Sequence, residues 1–148
     1  MSVPFTITFD CHDAPAQAEF WKLALSYVDA APPEGWDTWE SWLRDLDVPE
    51  DEWDDGAVIS DPDGRLPRIC FLKVPEGKTA KNRLHLDVQV GGGRHLPHEE
   101  RWPRVTAKID ELKAAGATVL VQAPSDPPDG LLDHAVMADP EGNEFCVI

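Results

Sequence analysis

Pro4–Asp10, "PFTITFD", sets Phe5, Ile7 and Phe9 against Thr6, Thr8 and Asp10, the period-two pattern of a strand with one buried face. From Asp13 the period lengthens. Ala16, Phe20, Leu23, Ala24 and Tyr27 predict an apolar helical stripe, with Asp13 as N-cap and Pro15 tolerable in the first turn. "AAPPEG" (Ala30–Gly35) interrupts, and a second stripe follows in Trp36, Trp39, Leu43 and Leu46. It either buries itself against a sheet, the reading we favour, or serves as a lid or dimer contact, since tryptophan is enriched at interfaces. "PEDEWDDG" (Pro49–Gly56) reads as an acidic loop. Ala57–Val74 reads as strand, turn, strand, the turn being Asp-Pro-Asp-Gly at Asp61–Gly64.

The second half repeats the order. Arg83–Val90, "RLHLDVQV", alternates over all eight residues, with Arg83, His85, Asp87 and Gln89 on one face. "GGGRHLPHEE" reads as a loop, so His95 and His98 are expected in solvent. Trp102, Val105, Ile109 and Leu112 stripe a helix that Gly116 ends. Three strands follow, "TVLVQA", "LLDHAVMAD" and "NEFCVI". The turn "DPEG" (Asp139–Gly142) stands before Cys146 as "DPDG" (Asp61–Gly64) stands before Cys70. This local echo implies an internal duplication. The expected fold is α+β: two βαβββ modules, about 4–75 and 82–148, pair into one curved mixed sheet with helices on its convex side. The whole of 1–148 then forms a single domain with an insertion at about 32–55. Polar strand faces line the concavity, among them Thr6, Thr8, Arg68 and Cys70 from the first module. Arg83, His85, Asp87, Glu144 and Cys146 do so from the second.

Composition narrows the function. A formal net charge of −15 repels nucleic acid phosphates and anionic lipid, so neither is an expected partner. Hydrophobic content of 42% and six tryptophans exclude a disordered chain. No apolar run approaches the ~20 residues of a membrane span, and "MSVPFTITFD" lacks the pattern of a signal peptide. Cys11, Cys70 and Cys146 are widely spaced with no CxxC, which suits free thiols in a reducing cytoplasm.

Four stretches carry a family resemblance: "DCHDAPAQAEFW" (Asp10–Trp21), "KNRLHLDVQVGGG" (Lys81–Gly93), "ELKAAGATVL" (Glu111–Leu120) and "DHAVMADPEGNEFCVI" (Asp133–Ile148). They resemble the glyoxalase-like branch of the vicinal oxygen chelate superfamily, small bacterial proteins of the glyoxalase/bleomycin-resistance/dioxygenase fold. The resemblance implies four metal-ligand positions in the concavity. They fall on Thr6 or Thr8, on Cys70 or Phe71, on His85 and on Cys146. Only His85 is a usual ligand in place; Cys146 stands where metal-dependent members have glutamate. No cofactor is therefore expected. If a divalent metal binds, the rearranged ligands would be His85, Cys146 and Glu144, with Asp87 as the other carboxylate able to approach, or zinc recruiting Cys70 as well.

The functional expectation is a protein that binds a small molecule in its cavity without the usual metal site. Arg68 and Arg83 would favour an anionic group there. Thr8, Arg68, Arg83, Asp87 and Cys146 are the expected ligand contacts. If the protein is an enzyme, His85 and Glu144 are the candidate catalytic pair, desolvation raising the Glu144 pKa. Two alternatives stand beside this. One is a metal-dependent lyase, isomerase or dioxygenase; the other is an antibiotic-sequestering resistance protein, with Trp36, Trp39 and Trp42 at its mouth. The superfamily also makes a homodimer an expected assembly.

Overall fold

In the computed structural model, which describes residues 1–122 and 134–148, the alternating segment at the N-terminus becomes strand β1 (Ile7–Cys11). Helix α1 (Ala14–Leu25) follows, and Asp13 caps it by accepting the Ala16 N–H at 2.9 Å. Pro15 lies in the first turn, where its missing N–H leaves no bond unmade. The buried face of α1 carries Ala14, Ala18 and Trp21 as well as the expected Phe20 and Ala24. Ala16 and Leu23, expected on that face, are exposed. Trp21 sets the rotation: its indole, 1% exposed, packs on Phe9 with ring centres 5.1 Å apart. So large an aromatic surface outweighs a smaller Leu or Ala in choosing the buried face.

The helix ends at Ser26 in the left-handed region (φ 57°), and the chain enters strand β2 (Val28–Asp29). The periodicity had drawn Tyr27 into the helical stripe. Tyr27 is buried beyond the helix, its hydroxyl donating to the Pro67 carbonyl at 3.0 Å. Strands β3 (Gly56–Ser60) and β4 (Ile69–Lys73) complete a sheet in the order β1-β4-β3-β2. Its β1–β4 pair is parallel and the other pairs antiparallel. Phe9 and Phe71 lie on the α1 side, in register with one another. Thr8 and Cys70, also in register, turn the other way.

The insertion between β2 and β3 holds α2 (Trp39–Asp45) and a 3-10 helix (Glu50–Asp55) where the sequence suggested an acidic loop. Thr38 and Ser41 form a complete capping box at the start of α2. Yet no residue from 31 to 58 is buried. The expectation that this stripe packs as core is thus corrected: Trp36, Trp39, Trp42, Leu43 and Trp53 stop at half-burial, and Leu46 is exposed.

The chain divides into two compact units, Met1–Gly77 and Lys78–Ile148. The second contains β5 (Asp87–Val88), α3 (His98–Ala114), β6 (Thr118–Gln122), β7 (Ala135–Ala138) and β8 (Glu144–Val147). Its sheet order, β5-β8-β7-β6, repeats that of the first unit, with the parallel pair again joining first strand and last. Both units are βαβββ modules of an α+β fold. The core of the second packs Val105, Ile109 and Leu112 of α3 with Met137, Phe145 and Val147 of the sheet, all under 3% exposed.

The two echoed turns are built alike. Asp61 accepts the N–H groups of Asp63, Arg65 and Leu66, and Asp139 accepts those of Glu141 and Asn143 plus the Asn143 side-chain amide. Gly64 and Gly142 close them at φ 66° and 91°, a conformation that favours glycine.

Two expectations for this unit change. The eight-residue strand Arg83–Val90 pairs only at Asp87–Val88, and Leu84 is 68% exposed. Nor is His98 in a loop: it opens α3 after Pro97 and stacks on Trp102 at 5.8 Å. Ala123, expected to end "TVLVQA", and Leu131–Asp133, expected to open "LLDHAVMAD", lie outside the described residues. Among the described residues no helix is long and apolar enough to cross a membrane.

Candidate functional site

Strand pairing places a cysteine at the same position of each module. Cys70 on β4 faces Thr8 of β1, and Cys146 on β8 faces Asp87 of β5. Both cysteines are half-buried and point away from the module's own buried face, whose β8 residues are Phe145 and Val147. That register decides one choice left open by the sequence: Phe71 belongs to the α1 side, so Cys70 is the residue on the polar face. The alternation of β8 is as its sequence implies, Glu144 and Cys146 sharing one face.

In the second unit, His85, Asp87 and Cys146 bring one nitrogen, one oxygen and one sulfur within 4.8 Å of one another. His85 Nε2 lies 3.4 Å from an Asp87 carboxylate oxygen, and both side chains are about half exposed, 53% and 48%. Water therefore screens that pair, and its attraction is weak. Cys146 is held protonated above the usual thiol range, by burial first and then by the charge and hydrogen bond of Asp87. An inert thiol at neutral pH is the consequence, unless a cation enters to displace the proton.

Glu144 is engaged elsewhere. Lys78 Nζ lies 2.9 Å from its Oε2, and the Asn82 backbone N–H donates to the same oxygen at 3.2 Å. The lysine bond is the main cause that lowers its pKa to about 2, with the Asn82 N–H adding to it against the opposing effect of burial. This corrects the expectation that desolvation raises the pKa of Glu144. A carboxyl ionised at all working pH values is no proton donor, and its partner is Lys78. Among the described residues Glu144 is also absent from the metal-capable group, which Asp87, the other carboxylate the sequence offered, completes.

A cavity of about 720 Å³ opens within the first unit. The insertion supplies one wall through Trp39, Trp42 and Trp53; β1, β3 and β4 supply another through Thr8, Val58 and Cys70. Trp39 and Trp42 meet edge to face, ring centres 5.5 Å apart at 86°. Backbone anchors fix two of the indoles: Trp39 Nε1 donates to the Ala30 carbonyl at 2.8 Å and Trp53 Nε1 to that of Val48 at 3.0 Å. The volume lies in the range of small-molecule pockets, and three indoles form part of the wall.

Of the expected contacts, Thr8 lines this cavity and Arg68 does not; the Arg68 guanidinium donates to the Ala31 carbonyl at 3.3 Å. Arg83 is exposed, outside the three-residue group. Asp10 is exposed, and the helix is capped by Asp13 as expected. Trp36 is tied to Asp45 at 2.8 Å and is not part of the cavity wall. Sequence reasoning missed Lys78, Asn82 and the cavity role of Trp53. Trp53 carried a signal, as the only apolar residue of the run Pro49–Gly56.

Residues 6–148 match the sequence model of the glyoxalase-like domain family. Among solved structures, a glyoxalase/bleomycin resistance protein/dioxygenase family enzyme from Burkholderia phytofirmans aligns at TM-score 0.59 and 16% identity, over 96% of this chain and 94% of its own. A hypothetical protein from S. aureus aligns at TM-score 0.60 and 16% identity, covering 99% and 93%. The fosfomycin resistance protein FosX from Listeria monocytogenes, in complex with Mn(II) and 1S,2S-dihydroxypropylphosphonic acid, aligns at TM-score 0.60 and 13% identity, covering 99% and 89%. At such identities the likeness is one of fold. No curated protein matches the chain.

Proposed function

The chain belongs to the glyoxalase-like domain family, and on that premise we propose that it binds a small organic molecule in the tryptophan-walled cavity of its first unit. The observation that carries this reading is the 720 Å³ cavity, whose indole wall comes from the insertion and whose polar patch comes from Thr8 and Cys70. Two of the three indoles are anchored by hydrogen bonds, so the wall is pre-formed and little ordering entropy opposes binding. Screening aromatic metabolites by thermal shift tests this reading: hits should stabilise the wild type and lose their effect in Trp42→Ala. A set of hits that all keep their full effect in that variant would contradict the site.

A second reading rests on the second unit. His85, Asp87 and Cys146 offer the nitrogen, oxygen and sulfur donors that a zinc-class ion accepts, and three protein ligands leave a position open for substrate. An ion held there would act as a Lewis acid on a bound carbonyl or phosphonyl oxygen. The FosX complex with Mn(II) supports a metal in a protein of this fold. Elemental analysis of untagged protein, with His85→Ala as control, tests this reading. One ion per chain, lost in the variant, supports it; a metal content that His85→Ala leaves unchanged counts against it. The homodimer suggested by the family is likewise a proposal, checked by sedimentation equilibrium.

A further inference from the structure

The charged residues that line the first-unit cavity are all of one sign. Its lining includes the carboxylates of Glu19, Asp29, Glu40, Glu52 and Asp54, and no lysine, arginine or histidine. Two of the five are neutralised: Lys22 bridges Glu19 at 2.6 Å and Asp29 at 2.8 Å. The other three, Glu40, Glu52 and Asp54, form no ion pair among the described residues, and all three are exposed. Arg44, the nearest cation to them by sequence, lies over the Trp53 ring, and Lys73 is bound to Asp55 at 2.8 Å. Between these carboxylates stand the indoles of Trp39, Trp42 and Trp53, whose faces carry the negative end of the ring quadrupole. One of those rings already holds a cation. The Arg44 guanidinium carbon sits 5.3 Å from the centre of Trp53.

We propose that this cavity selects an organic cation, a protonated or quaternary amine carried on an aromatic body. The inference rests on the small-molecule reading given above and names the class of molecule. The rings accept the apolar body by burial and the ammonium by cation–π attraction. The three unpaired carboxylates add Coulomb attraction at the mouth, and the net charge of −15 draws cations toward the protein from further out. An anionic ligand meets the opposite: no cationic side chain in the lining to pair with it, and carboxylates that repel it. The expectation of an anionic ligand held by Arg68 and Arg83 is therefore replaced, since neither arginine reaches this cavity.

Titration calorimetry with three probes sharing one ring tests the class: benzyltrimethylammonium, benzyl alcohol and phenylacetate. The ammonium should bind about five- to thirtyfold more tightly than the alcohol, the gain of a partly desolvated cation on an indole cage. Phenylacetate should be weakest, and the ammonium's advantage should shrink as salt is raised. In the variant Glu40→Gln/Glu52→Gln/Asp54→Asn the preference should fall several-fold while affinity for benzyl alcohol is kept, which also shows that the variant is folded. Equal or tighter binding of the alcohol or of phenylacetate would overturn the cation while leaving a small-molecule site. Heat from none of the three would remove both.

Discussion

Replacing Asp139 by alanine should destabilise the protein by about 3 kcal/mol, and the estimate follows from three contacts. Asp139 is 3% exposed at the head of the turn before β8. It accepts N–H bonds from Glu141 and Asn143 and from the Asn143 amide, all at 2.9 Å. A hydrogen bond to a charged acceptor contributes roughly 1.5–3 kcal/mol, and a backbone donor left unpaired costs about 1–3 kcal/mol when fully buried. Glu141 and Asn143 are only half-buried, so water replaces part of what is lost and the sum settles near the lower end. Asp139→Asn keeps an acceptor for the two backbone donors and should cost about half as much. The Asp61→Ala change removes the corresponding contacts in the first module, at a more exposed site, and should cost about 1–2 kcal/mol. Urea unfolding followed by tryptophan fluorescence measures all three. For a chain of this size, about 3 kcal/mol corresponds to a melting-temperature drop of roughly 6–12 °C. An Asp139→Ala protein within about 1 kcal/mol of wild type, or less affected than Asp61→Ala, would refute the claim that this turn organises β8.

Three further outcomes follow from other parts of the structure. Glu144 is held at a pKa of about 2 against an ordinary 4.5, so its ionisation favours the folded state fully above about pH 4.5 and ceases to as pH falls toward 2. Lys78→Met should therefore lower the melting temperature at neutral pH, with the gap to wild type closing between pH 4.5 and 2; a gap that is constant over that range would contradict the assignment. Leu112→Ala empties a fully buried site in α3 and should cost about 2–5 kcal/mol in urea unfolding, whereas Leu84→Ala, at 68% exposure, should cost under about 0.5 kcal/mol. If His85, Asp87 and Cys146 hold zinc, adding it at a hundred times its dissociation constant should stabilise the protein by about 2.7 kcal/mol, and Cys146→Ser should remove most of that shift.

The duplicated architecture was legible because its signals are local. Alternation in Pro4–Asp10 and Asn143–Ile148 marks the first and last strands in sequence, and each Asp-Pro-x-Gly turn marks a module. Where the reading slipped, a non-local contact had decided the matter. Trp21 rotated α1 by choosing Phe9 as its partner, and β2 is too short at two residues to leave a periodic trace. The site was half legible. Parity placed Thr8, Cys70 and Cys146 on the polar faces of their strands, since it depends only on counting. It could not reveal that Glu144 is bound by Lys78, more than sixty residues away in sequence, or that Asp87 approaches Cys146. Nor could it show the insertion standing off the core. Four tryptophans in eighteen residues read as packing material, and their half-buried state is a property of the fold alone.

The most direct test of the binding site is a two-dimensional 1H–15N spectrum of the protein titrated with benzyltrimethylammonium, read in the indole region. Six tryptophans give six Nε1–H signals. Signals of Trp39, Trp42 and Trp53 should move together with one dissociation constant, while those of Trp21, buried in the core, and Trp102, on α3, stay in place. Movement of Trp102 alone, or of no indole at all, would contradict a ligand site in the first unit.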